Sequence, residues 1–365
     1  MYNKEIKILH IGLSSNMGGI ENVVKSWNSK LPENIQFDFV NVENSPIAFQ
    51  DEFIENGSKI FSVTSRKSNP FKSYKQLERL IKVNEYDYVQ HHMMSFSWPD
   101  PILIAQKNIK TQAIAHCHTA GSKSMNLKYK ALDFLGHKRI SRNEYLRIAC
   151  GDTAGKNMFG GEAFTVIPNG VDFSKCHFSI QNRIKIRKKY NISSNTYVIG
   201  HVGRSNPVKN YPFILKLFSE LLKTTLDVKL LLIGDVSEDS NIKRLIEFYG
   251  IKDKVVLTGV LNDIKEYYSA MDVFILPSFY EGVSVAMIEA QAAGLPCIVS
   301  EFVAKDADIS NNVSYISIDN VNEGVNIVMS KLREKKNREM IQIDNTFDLE
   351  NTSKKMFEFY EQHLL

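Results

Sequence analysis

Two glutamates eight positions apart, Glu281 and Glu289, carry the clearest chemical signal in the sequence. The apolar run at 272–276 ends in Pro-Ser, and a helix is predicted to begin near Ser284. Glu281 then lies in the loop before that helix and Glu289 in its early turns, so the two carboxylates can serve different parts of one ligand. Carboxylates accept hydrogen bonds from vicinal hydroxyls, as on ribose or a hexose, and the N–H groups of 283–285 suit phosphate oxygens. The alternatives are hydrolytic acid–base chemistry by the pair and helix capping beside a buried glutamate.

Two cations follow the first predicted strand of the second half, in the pattern Gly203-Arg204-(x4)-Lys209-Asn210. Arginine offers a rigid fork of donors and lysine a mobile point charge, so the pair can neutralise a diphosphate. The spacing is not GxxxxGK[ST], which excludes the phosphate loop of nucleoside triphosphatases. The alternative is two surface cations near a loop.

A pair of glycines, Gly18-Gly19, follows the first predicted strand and precedes a predicted helix. Glycines let the backbone approach a ligand closely, and a helix start offers unpaired N–H groups, so a phosphate or a reacting sugar fits there. The pattern is not GxGxxG, so the dinucleotide fingerprint is absent. A tight strand-to-helix turn explains the glycines equally well.

Histidines end two predicted strands, as His91-His92 and as His116-Cys117-His118. His118 is expected to face a cleft and to hydrogen-bond a sugar hydroxyl or a leaving phosphate. His92 is the candidate for the acceptor side. The alternatives are satisfied core histidines and, for the H-x-H pattern, half of a metal site, although no cysteine or carboxylate cluster accompanies it.

The chain alternates short apolar runs with longer amphipathic ones, which is typical of α/β folds with parallel sheets. The predicted strands are 6–12, 36–42, 58–63, 86–90, 112–116 and 146–150 in the first half, and 196–202, 228–233, 254–258, 272–276 and 296–300 in the second. The predicted helices are 19–30, 71–84, 126–142, 210–225, 240–249, 262–270, 285–293, 321–334 and 346–363. The turn signal in VIPNGVD separates the halves, and the polar, lysine-rich stretch 172–194 is predicted to be a connector. Two doubly wound domains facing across a cleft are therefore expected, with ligands at the carboxyl ends of the strands.

The composition, with 43% hydrophobic and 24% charged residues over 365 positions, excludes a disordered or collagen-like chain and favours two globular domains. No apolar run approaches the ~18 residues that span a bilayer, and no secretory signal is expected. Four widely spaced cysteines fit a reduced cytoplasm, so a cytoplasmic protein is predicted. The net charge is +5 over 1–170 and −1 over the rest, and the densest basic stretch is 122–147. That stretch can dock on anionic lipid at the inner face of the cell membrane, or be a solvated helix face.

These motifs together resemble the family-4 retaining glycosyltransferases of the GT-B fold. The resemblance is carried by PSFYEGVSVAMIEAQAAGLPCIVS at 277–300, GR…KN at 203–210, VIPNGVD at 166–172 and GGIENVV at 18–24. It is strongest to bacterial enzymes of capsular and exopolysaccharide synthesis. It implies two Rossmann-like domains: an acceptor-binding domain at 1–170 and a donor-binding domain at 171–345. It also implies that a C-terminal helix at 346–365 crosses back onto the first domain.

The resemblance also implies roles for matching residues. Arg204 and Lys209 would hold a donor diphosphate, Glu289 would accept from ribose hydroxyls, Glu281 would lie near the donor sugar, and His118 at its reacting face. The implied catalytic set is His118, Arg204, Lys209 and Glu281. The implied donor-binding set is Gly18, Gly19, Gly203, Arg204, Lys209, Val260, Glu281, Gly282, Val283, Ser284, Val285 and Glu289. No metal and no cofactor is implied, because the two cations and the helix start would stabilise the diphosphate.

The expected function is transfer of a hexose, with retention, from a nucleotide diphosphate sugar to a hydroxyl of a lipid-linked oligosaccharide. A UDP-sugar is the expected donor, and nucleic acid is not an expected partner. Gly282-Val283-Ser284 stands where the family often has Gly-Phe/Leu-Pro, so the motif does not specify the donor sugar. Two other functions fit the motifs: a nucleotide-sugar 2-epimerase, which would need no acceptor, and a non-catalytic sugar-nucleotide-binding partner in a synthase complex.

Overall fold

A computed structural model describes residues 4–118, 127–140, 145–224, 226–261, 263–281, 283–334, 338 and 341–365, without the side chains of 127 and 128. The chain divides into two compact units. The first comprises Met1–Gly170 together with Phe347–Leu365, and the second comprises Val171–Thr346.

The first unit is built on a parallel sheet with the strand order β3-β2-β1-β4-β5-β6-β7. Its strands are β1 (Ile6–Ile11), β2 (Ile35–Asn41), β3 (Ile60–Ser62), β4 (Tyr88–Met93), β5 (Gln112–Cys117), β6 (Leu146–Ala149) and β7 (Thr165–Val166). Its helices before residue 170 are α1 (Gly19–Asn28), α2 (Gln50–Glu55), α3 (Pro70–Asn84), α4 (Asp100–Gln106), α5 (Leu127–Arg139) and α6 (Asp152–Phe159).

The second unit repeats this architecture, with the parallel strand order β10-β9-β8-β11-β12-β13. Its strands are β8 (Tyr197–Val202), β9 (Val228–Ile233), β10 (Val255–Leu257), β11 (Val273–Leu276), β12 (Cys297–Ser300) and β13 (Val313–Ile316). Its helices are α7 (Phe173–Cys176), α8 (Ile180–Lys189), α9 (Tyr211–Leu221), α10 (Ser240–Phe248), α11 (Lys265–Ala270), α12 (Val285–Ala292) and α13 (Val321–Arg333).

Both sheets reverse their strand order next to their first strand, between β1 and β4 in the first unit and between β8 and β11 in the second. The central strands are buried along almost their whole length because helices cover both of their faces. Val273–Leu276, for example, is buried along its whole length. At such a reversal the loops that follow two strands diverge and leave a crevice at the carboxyl ends, where doubly wound folds bind ligands.

The last helix, α14 (Leu349–Gln362), packs within the first unit. Its apolar face joins the core there: Met356 and Tyr360 are fully buried and Phe359 nearly so. The hydroxyl of Tyr360 donates to Gln90 Oε1, and Tyr88 donates to the Tyr360 carbonyl. The first unit therefore needs residues from both ends of the given sequence to complete its core.

The prediction that 172–194 is a connector is wrong, because two helices, α7 and α8, lie within this stretch. Helix α8 is polar along most of its length and carries no apolar stripe that would reveal it. It is held instead by Arg183 and Arg187, which each donate to Asp272 at 2.7 Å. Hydrogen bonds to charged groups contribute about 1.5–3 kcal/mol each, so these contacts help to position a helix that buries only Ile186 and Arg187.

The other differences are smaller. Each predicted strand corresponds to an observed one, whereas strands β7 and β13 and helices α2, α4 and α6 were not predicted. Residues 126, 141, 142, 225 and 262 of predicted helices lie outside the described residues. No helix in the described parts of the chain is long and apolar enough to cross a membrane.

Candidate active site

Two glycines bring the backbones of β8 and β9 together where the strands end. Gly234 has φ of +137°, and a Cβ there would lie 2.0 Å from the Gly203 carbonyl oxygen. Gly203 N–H donates to Ile233 O, and the Gly203 carbonyl accepts from the Tyr211 hydroxyl at 2.7 Å. A side chain at Gly234 would disrupt this junction, so the loop that carries Arg204 has a fixed starting point.

Arg204 extends from this junction and is exposed. Its side chain makes no hydrogen bond or ion pair with the residues that the structure describes. The next residue fixes the loop, because the Ser205 N–H donates to Asp235 and its hydroxyl donates to Asp239. The backbone is thus anchored while the guanidinium stays available for a ligand.

Lys209 lies beside the same junction and forms an ion pair with Glu281. A Cβ at Gly203 would be 3.3 Å from Lys209 Cδ, so the lysine stem crosses the glycine closely. Both side chains are mostly buried, at 19% and 17% exposed. Glu281 also receives a longer bond from the Ser278 hydroxyl, at 3.4 Å. A diphosphate that binds Lys209 would therefore compete with Glu281 for the ammonium group.

Helix α12 begins after Glu281, with buried Ser284 as its N-cap, and the Ser284 side chain makes no capping hydrogen bond. The first helical hydrogen bonds are donated by Met287 and Ile288 to the Ser284 carbonyl. The N–H groups of the preceding residues, including Val285, make no hydrogen bond within the described part of the chain. Such a helix start presents donors and a positive dipole end to an anion.

Glu289 lies one turn into α12, buried at 8% exposed. Its Oε2 accepts a 2.7 Å hydrogen bond from the Tyr268 hydroxyl. Burial raises the pKa of Glu289 to about 7, against the lowering effects of Tyr268 and of Lys265. Its other oxygen has no partner among the described residues, so a carboxylate oxygen remains available for a ligand hydroxyl.

Two further predicted positions complete this set. Val260 is 66% exposed and follows Gly259, whose carbonyl accepts from Gly234 N–H at 3.1 Å. Val283 is half-buried just before Ser284. Gly282 lies outside the described residues. The second unit thus brings together, at the carboxyl ends of β8, β9 and β11, the cations, the helix start and both glutamates.

In the first unit, Gly18 is the N-cap of α1 and Gly19 its first residue. A Cβ at Gly19 would meet nothing within 4 Å, so packing within this unit does not require glycine there. Glu21 is buried and accepts from Ser14 N–H and hydroxyl at 3.0 and 2.8 Å, which fixes the loop before the helix. The open space beside Gly19 is compatible with close approach of a ligand.

Four buried residues form a hydrogen-bonded chain in the first unit. Asn169 Oδ1 lies 2.9 Å from His118 Nδ1, His118 Nε2 lies 2.7 Å from His92 Nδ1, and His92 Nε2 lies 2.9 Å from His10 Nδ1. An amide oxygen only accepts, so the Nδ1 atoms of all three histidines carry the protons. The Nε2 atoms of His118 and His92 accept, and His10 Nε2 has no partner among the described residues. Burial lowers the pKa of His118 to about 4 and of His10 to about 3, so the chain is neutral.

Both ring nitrogens of His118 therefore already make hydrogen bonds, to Asn169 and to His92. Contact between this ring and a sugar stays a prediction, and it would require one of these bonds to be replaced by a bond to the sugar. The sequence pointed to His92 and His118 through their strand-end positions but gave no sign of their partner His10. Tyr268 was likewise missed, because its tyrosine-rich helix has no feature that links it to Glu289. Strand order and helix packing, which create these contacts, are not visible in local sequence.

Comparison with known proteins identifies the family to which this chain belongs. Residues 182–340 match the family described as glycosyl transferases group 1. The chain is 30% identical over 316 residues to the putative glycosyltransferase EpsF of Bacillus subtilis, covering 84% of this chain and 82% of EpsF. It is 28% identical over 328 residues to an Escherichia coli UDP-Gal:alpha-D-GlcNAc-diphosphoundecaprenol alpha-1,3-galactosyltransferase, covering 85% and 83% of the two chains.

A solved structure shares the fold. The Anabaena protein Alr3699/HepE, crystallised with UDP and glucose, superposes with a TM-score of 0.79 at 16% identity, covering 98% of this chain and 99% of that one. The two parallel-sheet units are those of the GT-B fold. Given the extent of the match to EpsF and the family match over the unit that carries the cations and glutamates, this chain belongs to the group 1 glycosyltransferases.

Proposed function

We propose that this enzyme transfers a hexose from a UDP-sugar to a hydroxyl of a lipid-linked oligosaccharide, with retention, in capsular or exopolysaccharide synthesis. The observation that carries the proposal is the exposed Arg204 beside Lys209, on a fixed loop next to the start of α12. Cations and unpaired N–H groups at one place suit the leaving diphosphate of a nucleotide sugar.

The second unit would bind the donor through three kinds of contact. The diphosphate would lie against Arg204, Lys209 and the N–H groups of residues 283–285. The ribose hydroxyls would donate to Glu289, whose unpartnered oxygen supports this role. The base would lie at Val260, beside the Gly234–Gly259 backbone contact.

The nature of donor and acceptor rests on the relatives. The Escherichia coli relative is named for a UDP-linked donor and a diphosphoundecaprenol-linked acceptor, and it matches most of this chain. We extend both classes to this protein: a UDP-hexose, and a saccharide on a polyprenyl diphosphate that would bind the first unit, near His92 and His118.

Charge on the departing diphosphate would be stabilised mainly by Arg204, Lys209 and the α12 start, because preorganised donors at developing charge supply the largest catalytic effect. The acceptor hydroxyl would attack from the face that the diphosphate leaves, and a phosphate oxygen would receive its proton. Glu281 would hold Lys209 and lie near the donor sugar rather than act as a nucleophile. Retention would be contradicted if the coupling of the anomeric proton in the product's NMR spectrum showed the configuration opposite to that of the donor sugar.

The test is a thermal-shift screen against UDP, GDP, ADP and their sugar conjugates, each with and without EDTA. A ligand at about 100 times its Kd stabilises the folded state by about 2.7 kcal/mol. We expect a shift with the uridine series alone, unchanged by EDTA because no metal is proposed to hold the diphosphate. If none of the nucleotides raised the melting temperature, the donor site would be refuted. If EDTA abolished the increase, metal-independent binding would be refuted.

We also propose that α5 touches an anionic membrane surface, which would bring the enzyme to a lipid-linked acceptor. Tyr129, Phe134 and Leu135 are at least half exposed on this helix, and Lys138 lies 4.5 Å from the Phe134 ring centroid. Apolar side chains among cations are typical of interfacial helices. Residues 122–126 and 141–144 of the basic stretch lie outside the described residues.

This contact predicts that the protein floats with vesicles containing phosphatidylglycerol and that 0.5 M salt (about a 4 Å Debye length) releases much of it. The double variant Phe134→Ser/Leu135→Ser should reduce flotation. The matched control is Phe248→Ser, which removes an exposed aromatic residue from the second unit. Equal flotation with neutral vesicles, or none with either, would contradict the proposal.

A further inference from the structure

Three histidines converge at the carboxyl ends of β4 and β5 in the first unit. One ring nitrogen from each of His92, His116 and His118 lies within 4.8 Å of those of the other two. The strand register explains the convergence, because His92 pairs directly with His116 across the sheet and His118 follows one residue beyond β5. All three rings are at most 8% exposed.

Each of these rings has its second nitrogen held by a separate partner. Asn169 holds His118 Nδ1 at 2.9 Å, and His10 holds His92 Nε2 at 2.9 Å. The Gln90 amino group donates to His116 Nδ1 at 2.8 Å, so the proton of His116 lies on Nε2, which is buried with no hydrogen-bond partner among the described residues. Histidines that bind metals almost always donate their second ring N–H to a fixed outer partner, as His118 does to Asn169. His92 and His116 have outer partners at the same place, but they would donate to them only after their protons move.

We propose that His92, His116 and His118 form a binding site for Zn²⁺, through His92 Nδ1, His116 Nε2 and His118 Nε2, with water as the fourth ligand. Imidazole is a preferred ligand of Zn²⁺, and three-histidine sites with one open position are a recurring class. The site is built entirely from first-unit residues and uses none of the cations or glutamates of the second unit.

The rearrangement changes both the spacing and the orientation of the rings. The His116 and His118 rings are stacked, with centroids 4.0 Å apart and 26° between their planes, so one of them would have to turn toward the ion. A tetrahedral zinc ion with bonds of about 2.1 Å places its ligand nitrogens about 3.4 Å apart. The His92 and His118 nitrogens, now 2.7 Å apart, would move slightly apart, and nitrogens separated by as much as 4.8 Å would close in. The ion would take the place of the hydrogen bond between His92 and His118.

Zinc binding at these nitrogens requires the ring protons of His92, His10 and His116 to move, and each ring stays neutral when they do. The His92 proton would move from Nδ1 to Nε2 and be donated to His10, whose own proton would move to its unpartnered Nε2. His116 would carry its proton on Nδ1, with the Gln90 amide turned so that its oxygen accepts it. The Gln90 amino group would then donate to the Tyr360 hydroxyl oxygen. The Tyr360 O–H, which now donates to Gln90 Oε1, would lose this acceptor and have to turn away from the amide.

The test uses the full-length protein without a histidine tag, stripped with a chelator and then titrated with Zn²⁺ by calorimetry. In a parallel titration with Co²⁺, the intensity of the visible absorption bands reports the coordination number of the bound ion. We expect one equivalent of Zn²⁺ per chain and intense Co²⁺ bands typical of a four-coordinate site. His116→Ala should weaken Zn²⁺ binding at least tenfold, because it removes the ligand that has the unpartnered nitrogen.

The matched control is His177→Ala, which removes an exposed histidine of the second unit and should bind Zn²⁺ like the wild type. Wild-type binding no tighter than that of folded His116→Ala, or binding lost in His177→Ala, would overturn the proposal. Should His116→Ala not fold, the wild-type Co²⁺ spectrum decides: absent or weak six-coordinate bands would overturn it. UDP binding is measured in a separate experiment, so a negative result for Zn²⁺ would not count against the proposed donor site.

Discussion

Replacing Arg204 with alanine is expected to lower kcat about 100-fold or more while leaving the melting temperature unchanged. Removing a donor that stabilises developing charge costs on the order of 3 kcal/mol of transition-state stabilisation. Stability should not change, because the side chain is exposed and has no partner among the described residues. The measurement is initial rates with a UDP-hexose and a polyprenyl diphosphate saccharide, beside a thermal melt of both proteins.

The matched control is Arg244→Ala, which removes an exposed arginine whose hydrogen bonds stay within its own helix, to Ser240 and Asn241. It should leave kcat within about twofold, as is usual for surface substitutions. Lys209→Ala is a less specific test, because it strips Glu281 of its ion-pair partner next to the proposed diphosphate. Near-normal turnover in Arg204→Ala would refute the proposed role of this residue.

Replacing Glu289 with glutamine is expected to weaken UDP binding about 10- to 100-fold at pH 8 and, at the same pH, to stabilise the protein. A hydrogen bond to a charged group contributes about 1.5–3 kcal/mol, and glutamine removes the charge from the proposed ribose acceptor. Stability should rise because the glutamine avoids the cost of an ionised carboxylate in a buried site. Calorimetric titration with UDP and a thermal melt measure the two effects.

The stabilisation should depend on pH in a defined direction. The folded-state pKa of Glu289 is about 7, above its ordinary value of 4.5, so the folded state binds more protons than the unfolded state between these values. Wild-type stability therefore falls as the pH rises through that window, by up to an amount on the order of 3 kcal/mol. The advantage of Glu289→Gln should be largest at pH 8 and should vanish near pH 4.5.

For the same reason wild-type UDP affinity should fall as the pH drops below 7, since protonation removes the acceptor charge. The control is Glu247→Gln, an exposed glutamate of α10, which should change neither property. An equal melting temperature for Glu289→Gln and wild type at pH 8, or tight UDP binding by the variant, would contradict this account.

The fold was largely predictable because parallel strands covered on both faces are apolar runs, which stand out in sequence. Elements stabilised in other ways were missed. Helix α8 depends on Arg183, Arg187 and Asp272, and Asp272 is some 85 positions further along the chain. Strands β7 and β13 are short and lie at sheet edges, where alternation and apolar content are weak.

The candidate site was predictable at the level of motifs and unpredictable at the level of contacts. Arg204, Lys209, Glu281 and Glu289 stand out because each lies next to a strand end or a helix start. That Lys209 pairs with Glu281, 72 positions away, depends on the adjacency of β8 and β11 in the sheet. The same holds for His10 and His92, which meet because β1 and β4 are neighbours.

Helix α14 gives this protein a constraint during its synthesis on the ribosome. The first unit lacks Met356, Phe359 and Tyr360 of its core until α14 is translated. The second unit, Val171–Thr346, has all its strands available earlier. Translation proceeds at about 5–20 residues per second, so the 176 residues of the second unit delay the synthesis of α14 by roughly 10–35 seconds. The unit whose sequence begins first is thus the last that can finish folding.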